Sequence, residues 1–285
     1  MRHSIIFTLS LTGIVGLSAC DRSGEAEVNR ALRDINVIDE TNLNDVMLNS
    51  ADPNEAVGYF AKAFAANPER IDLARGLGTS LVKAGDPARA AIAWKQVTTM
   101  EGSEHEDHVE LADALIRTGE WDQAEATLAS IPPTHETFKR YRLEAMVADS
   151  RQKWDKADSF YEIAAGLTNQ PAGVLNNWGY SKLTRGDAKS AESLFTQALR
   201  NKPDMFTAKN NLVLSRAAQR KYDLPVIKMT QTERAQLLHT IALAAIKQGD
   251  VATGRGLLTD AIETHPQHFE AASRSLAALE ANVQN

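Results

Sequence analysis

The chain has one cysteine, Cys20, in 285 residues, so no disulfide can close within it and no zinc site of several thiolates can be built. Charge of one sign is also scarce. The 31 Lys and Arg stand against 37 Asp and Glu, and the net charge of −6 excludes the basic footprint that DNA or RNA requires. With 43% apolar, 24% charged and 6% aromatic residues, the composition excludes collagen-like, disordered and polytopic membrane classes. No window alternates apolar and polar residues between hairpin turns, so essentially no sheet is expected. Catalytic signatures are missing too. There is no Gly-x-x-x-x-Gly-Lys-Ser/Thr, no Gly-x-Gly-x-x-Gly after a strand and no Gly-x-Ser-x-Gly. His105 and His108 stand three residues apart, which could place two imidazoles on one helix face for a metal. They lack the i, i+4 spacing of zinc proteases and open a predicted helix, where Glu106 and Asp107 simply suit the dipole. No metal and no cofactor are expected.

What is present begins with an address. After Arg2 and His3, Ser4 to Leu17 run without a charge, too short a stretch for a comfortable spanning helix, and read as a secretory signal peptide. Leu17-Ser18-Ala19-Cys20 then resembles the lipobox of bacterial lipoproteins. The resemblance implies removal of residues 1–19, lipidation of Cys20 and a tether over 20–36. Two or three acyl chains hold a membrane where one would not. The plainer alternative is an ordinary signal peptide with a chance cysteine at its end. Asp21 after the cysteine retains enterobacterial lipoproteins in the inner membrane, but other lineages do not follow that rule. The expected place is the cell envelope, lipid-anchored and facing the periplasm, with the outer membrane ahead of the inner.

The rest repeats itself. Leu175-Asn-Asn-Trp178-Gly179 is followed by Gly186-Asp187, Ala191, Phe195, Ala198 and Pro203. Steps of about 34 residues recover the pattern: Leu77, Gly85 and Trp94; Leu111, Gly119 and Trp121; Ala145, Trp154 and Tyr161; Ile241, Gly249 and Pro266. The pattern resembles the tetratricopeptide (TPR) repeat. That resemblance implies an all-α TPR superhelix (α-solenoid) of about six to seven helix pairs with a C-terminal capping helix. Repeats one to six occupy 37–222, the sixth incomplete; 223–231 forms an irregular connection, and 232–285 the last repeat and cap.

The spacing has physical reasons. Small residues of the first helix (Gly78, Ala112, Ala145, Gly179, Ala242) are expected to face small residues of the second (Ala90, Ala124, Ala157, Ala191, Gly254), so that the helices cross closely. The glycine ending each first helix suits a positive-φ stop. Trp121, Trp154 and Tyr222 share a register after the turn and read as core wedges rather than ligand contacts. Pro225 breaks the expected second helix of the sixth repeat, and Thr230 to Glu233 resembles a capping box opening the next.

Function then rests on surface shape. The TPR resemblance places Asp72, Arg75, Thr79, Lys83, Val109, Asp113 and Arg117 on a concave face in the amino-terminal half. In the later half it places Asn176, Asn177, Tyr180, Thr184, Asn210, Asn211 and Leu214 there. An asparagine offers a donor and an acceptor, which can satisfy the backbone of a bound peptide; the same amides can equally cap or bridge helices. Too few Lys and Arg accompany them for capture of a free carboxyl terminus.

Together, the lipobox, tether, repeat number, Leu175 to Tyr180 and the Asn-Asn-Leu212 helix ending in Lys221-Tyr-Asp223 resemble the TadD family, TPR lipoproteins of the tight-adherence (Flp) pilus system. Membership implies a non-catalytic interaction scaffold in pilus assembly and secretion. Its implied partners are the secretin or other pilus-assembly components, an extended peptide or helix in the groove, and the membrane through the lipid, with no nucleic acid. A general envelope TPR lipoprotein, serving outer-membrane protein insertion or polysaccharide export, shares the fold, the anchor and the absence of catalysis. An envelope enzyme is the remote alternative, because the repeats leave no segment of catalytic-domain size.

Overall fold

The computed structural model describes residues 43–283, and every described element is helical. The signal peptide, Cys20, the tether and the start of the first repeat lie outside the described residues. The chain divides into two compact units, Met1–Ala93 and Trp94–Asn285.

In the first unit, helical residues 43–49 precede α1 (Pro53–Ala66) and α2 (Ile71–Lys83), and α3 (Pro87–Val97) begins near its end. Ala56, Phe60 and Leu73 form its core, with Met47, Leu48, Tyr59 and Leu77 packed around them. Gly76 admits the Phe60 ring, since a Cβ there would lie 2.4 Å from Cε1. Asp52 caps α1 by accepting the Asn54 N–H at 2.8 Å, with a proline at N1.

In the second unit the helices pair in chain order: α4 (His105–Arg117) with α5 (Trp121–Ala129), α6 (Phe138–Ser150) with α7 (Trp154–Gly166), and α8 (Ala172–Thr184) with α9 (Ala188–Asn201). Next comes α10 (Phe206–Ala218), then α11 (Gln231–Lys247) with α12 (Val251–Thr264), and finally α13 (Glu270–Val283) packed on α12. The all-α repeat class expected from the sequence holds, and no strand occurs among the described residues.

α10 has no second helix of its own. Pro225 lacks an N–H and keeps Leu224 out of the helical region, and residues 221–230 contain no helix. Apolar side chains of this segment replace the missing helix. Ile227 packs on the α9–α10 cluster, while Tyr222, Leu224 and Met229 cover Val213, Leu237 and Ile241. The capping box at Thr230 and Glu233 then starts α11, with bonds of 3.1 and 2.7 Å.

Six first helices end in one shared stop. An N–H bonds back across six residues in each, from Asp86 to Leu81 O (3.0 Å) through Lys153 to Ala148 O (2.9 Å) and Asp250 to Ala245 O (2.9 Å). Gly85, Gly119, Gly186 and Gly249 occupy the positive-φ position at +76°, +80°, +90° and +85°. In the other two turns Gln152 (φ +57°) and Arg220 (φ +59°) hold it without that freedom. Left-handed backbone costs a side-chain-bearing residue about 1–2 kcal/mol, partly offset by the looser unfolded chain a glycine brings. Gln152→Gly and Arg220→Gly should therefore each stabilise the protein by about 0.5–1 kcal/mol. Thermal melting checks this, and an unchanged or lowered midpoint would show that the two side chains contribute more than their backbone strain costs.

Two packing expectations gain detail. The nearest neighbour of Gly179 is Phe195: the missing Cβ leaves room for the ring, whose Cε1 would lie 2.7 Å from it. The aromatic needs the space one helical turn further along α9, and Ala191 is buried beside it. Gly254 meets Ala242, whose carbonyl oxygen would lie 3.0 Å from an added Cβ. The second concerns the wedges: all three are half-buried, Tyr222 packed against the Val213, Leu237 and Ile241 cluster, and Trp121 and Trp154 at the starts of α5 and α7.

Candidate functional site

The first helices α6, α8 and α10 and the starts of α5 and α7 enclose a concavity of about 540 Å³ in the second unit. Five of the residues expected on the concave face line it together: Asn176, Asn177, Tyr180, Thr184 and Asn211. Tyr180 is 56% exposed, although it is large and mostly apolar. Asn211 and Asn176 come from adjacent repeats, and the Asn211 amide donates to Asn176 Oδ1 at 3.0 Å. That bridge uses one donor and one acceptor of the pair and leaves the others for a ligand backbone. The amides therefore do what the bridging alternative required, and at the same time form part of the wall.

Trp121, Met146 and Trp154 add apolar wall, and Ser150 and Thr207 add hydroxyls. One carboxylate, Asp149, lines the concavity; no Lys or Arg does. Its Oδ1 accepts from the Ser181 hydroxyl at 2.6 Å and its Oδ2 from the Tyr161 hydroxyl at 3.0 Å. Burial pushes the Asp149 carboxyl above the usual carboxylate range, although the Ser181 and Tyr161 hydrogen bonds pull the other way. Burial and the neighbouring Asp149 charge raise the Tyr161 phenol, so it remains a proton donor at physiological pH.

The nearby cations are engaged by a second acid. Asp158 accepts from Trp178 Nε1 at 2.6 Å, from Lys182 Nζ at 2.8 Å and from the Arg185 guanidinium. Burial alone would raise its carboxyl, but the bonds from Lys182, Trp178 and Arg185 hold it below the usual range. The Arg185 guanidinium also lies 5.5 Å from the centre of the Trp154 ring.

Other expected face residues are placed differently. Asn210 accepts from the Thr240 hydroxyl at 2.8 Å, tying α10 to α11, and Leu214 is half-buried outside the concavity. Asp113 is buried among Arg117 (3.3 Å), Lys139 (3.4 Å) and Arg142 (3.9 Å), so its charge joins α4 to α6. Val109 is wholly buried and belongs to the core rather than the face. Arg75, Thr79 and Lys83 lie on α2 in the first unit, where the Lys83 ammonium donates to the Leu48 carbonyl at the end of helical residues 43–49. Asp72 pairs there with Arg70 at 2.7 Å. His105 rests against His135, which contacts Glu106 at 3.1 Å. Among the described residues no group of three His, Cys, Asp or Glu is placed to hold a metal.

Asp149, Met146, Trp121 and Trp154 are the functional candidates that sequence reasoning missed. A signal for Asp149 was available: an acid in the last turn of a helix opposes the dipole, and such local conflicts mark sites. The tryptophans were seen to recur, but periodicity cannot tell a buried register from one lining a concavity.

A family model described as tetratricopeptide repeat matches residues 47–99, 75–133 and 176–224. No curated protein matches the sequence. Among solved structures, the Cut9–Hcn1 hetero-tetramer of the APC/C superposes with a TM-score of 0.59 at 16% identity, over 83% of this chain and 48% of that one. A tetratricopeptide repeat protein from Parabacteroides merdae gives 0.56 at 13% identity, covering 84% and 96%. The C-terminal part of a TPR repeat-containing protein from Cytophaga hutchinsonii gives 0.53 at 14%, covering 82% and 98%. This chain spans about half the length of the Cut9–Hcn1 chain it matches. The fold is the tetratricopeptide-repeat fold.

Proposed function

We propose that this chain, whose repeats suit a protein–protein interaction scaffold, catalyses no reaction and holds an extended segment of a partner protein in the concavity of its second unit. The observation that carries the reading is the concavity itself, where amides, hydroxyls and half-exposed aromatics converge. A peptide backbone needs donors and acceptors in alternation, and Asn176, Asn177 and Asn211 supply both.

The protein is further proposed to be lipid-anchored through Cys20 in the cell envelope, facing the periplasm, the outer membrane ahead of the inner. Its proposed task is Flp/Tad pilus assembly and secretion, supporting the secretin complex. The lipobox-like Leu17 to Cys20, the short tether and the repeat array support this reading. Among the described residues no helix is long and apolar enough to cross a membrane.

The test has two parts. Cys20→Ser should move the protein from the membrane to the soluble fraction; persistent membrane association would refute the anchor. Crosslinking in native membranes followed by mass spectrometry should recover a secretin and other pilus components with the wild-type chain. Recovery of outer-membrane insertion or export machinery in their place would overturn the pilus assignment while leaving the scaffold standing.

A further inference from the structure

We infer that the concavity selects a basic side chain, arginine ahead of lysine, carried within an extended segment of the partner. The inference rests on the reading of this concavity as a peptide site and adds what that site recognises.

Charge complementarity comes first. The lining holds one carboxylate and no cation. Each Asp149 oxygen is met by a neutral hydroxyl, from Ser181 at 2.6 Å and from Tyr161 at 3.0 Å, so it is positioned but carries no counter-charge at hydrogen-bond distance. Each oxygen keeps a further lone pair, enough for a guanidinium to bind both. The nearby cations Lys182 and Arg185 close on Asp158, so neither forms an ion pair with Asp149. An acidic segment would be repelled by Asp149. An apolar one would strip its water and return nothing. Burial raises the Asp149 carboxyl, and the Ser181 and Tyr161 hydrogen bonds and the Arg185 charge offset this only in part, so an added cation at its oxygens would favour the charged form.

The aromatic wall supplies the second part. Trp121, Trp154 and Tyr180 line the same concavity, and a guanidinium, planar and more weakly hydrated than an ammonium, stacks on indole faces at a smaller desolvation cost. The molecule already shows this contact once, in Arg185 over Trp154 at 5.5 Å. Among the described residues no cation stacks on Trp121. The arrangement is opposite in sign to a site for a free carboxyl terminus, so the recognised element is not the carboxyl end of the partner chain.

The test uses the full-length chain labelled with ¹⁵N at tryptophan and end-blocked peptides, acetyl-Gly-Ser-Ala-Arg-Ala-Ser-Gly-amide and its lysine, citrulline and glutamate versions. Citrulline keeps the shape of arginine and removes the charge. The arginine peptide should shift the indole resonances of Trp121 and Trp154 with a Kd about tenfold below that of the citrulline peptide, lysine falling between and glutamate weakest. Asp149→Asn, with an unchanged circular dichroism spectrum, should abolish the difference between arginine and citrulline. Trp121→Leu, at a half-exposed position, should reduce it and serves if Asp149→Asn does not fold. Equal binding of arginine and citrulline peptides would overturn the charge inference while leaving the peptide site intact. Failure of every peptide to move either indole would overturn both.

Discussion

Phe195→Ala should lower stability by about 3–5 kcal/mol, the usual loss for a wholly buried aromatic. The ring belongs to a core cluster that draws Leu175 from α8, Leu194 and Ala198 from α9, and Ala208 and Leu212 from α10. Its seat exists because position 179 has no Cβ. Gly179→Ala alone should also destabilise, by about 1–3 kcal/mol, because the added methyl meets Cε1 at 2.7 Å and the ring must move within a filled core. In the Phe195→Ala background the same methyl enters vacated space. There Gly179→Ala should become neutral or stabilising, since alanine is favoured over glycine by about 1 kcal/mol within a helix. This reversal of sign is the measurement to make, by urea unfolding with amide exchange followed in α8 to α10. Repeat arrays unfold in parts, so the exchange data identify which segment carries the change. An identical effect of Gly179→Ala in both backgrounds would show that the ring–glycine contact does not hold this crossing together.

Asp158→Ala should cost about 2–3 kcal/mol, between an exposed ion pair and a fully buried one, because its carboxylate is about one quarter exposed. The substitution strands three donors at once: Trp178 Nε1, Lys182 Nζ and the Arg185 guanidinium. It also has a pH signature. The folded-state carboxyl lies below its ordinary value of 3.8, so its contribution is present above that value and is lost as pH falls through the lower, folded value. Wild-type stability should therefore decline along an acid limb beginning near pH 5, and Asp158→Asn should flatten it. Denaturation midpoints between pH 3 and 7 check the difference; parallel curves would mean that other carboxylates carry the acid sensitivity. Glu192 supports the next repeat in the same way, held down by Lys221, Gln219 and Arg216 against its own burial.

How legible was all this in the residues? Helix pairing and class were, because a period of about 34 with small, aromatic and glycine positions admits few alternatives. The turn glycines Gly85, Gly119, Gly186 and Gly249 could be read directly as positive-φ stops. Gln152 and Arg220 could not, because nothing local marks a residue that tertiary packing forces into the same backbone. The site was half legible. The repeat pattern pointed to Asn176, Asn177, Tyr180, Thr184 and Asn211, which the structure brings to one concavity, and also to Asn210, Asp113 and Lys83, which the structure uses to tie helices together. A shared repeat position fixes the direction of a side chain only to within a helix face; whether it meets a neighbour or open space depends on which residue stands opposite.

The sequence by itself determined what depends on local chemistry and period: all-helical repeats, the stops between their helices, the break at Pro225, and the lone cysteine after an apolar leader. Tertiary structure decided what depends on distances between repeats. It set the Phe195 ring over Gly179 and joined Asn176 to Asn211 across 35 positions. It also placed Asp149 among aromatics while Asp158 engages Lys182 and Arg185. Burial and pairing, rather than residue type, separate these two acids. A carboxylate's role follows from what surrounds it in space, and that is settled only when the helices pack.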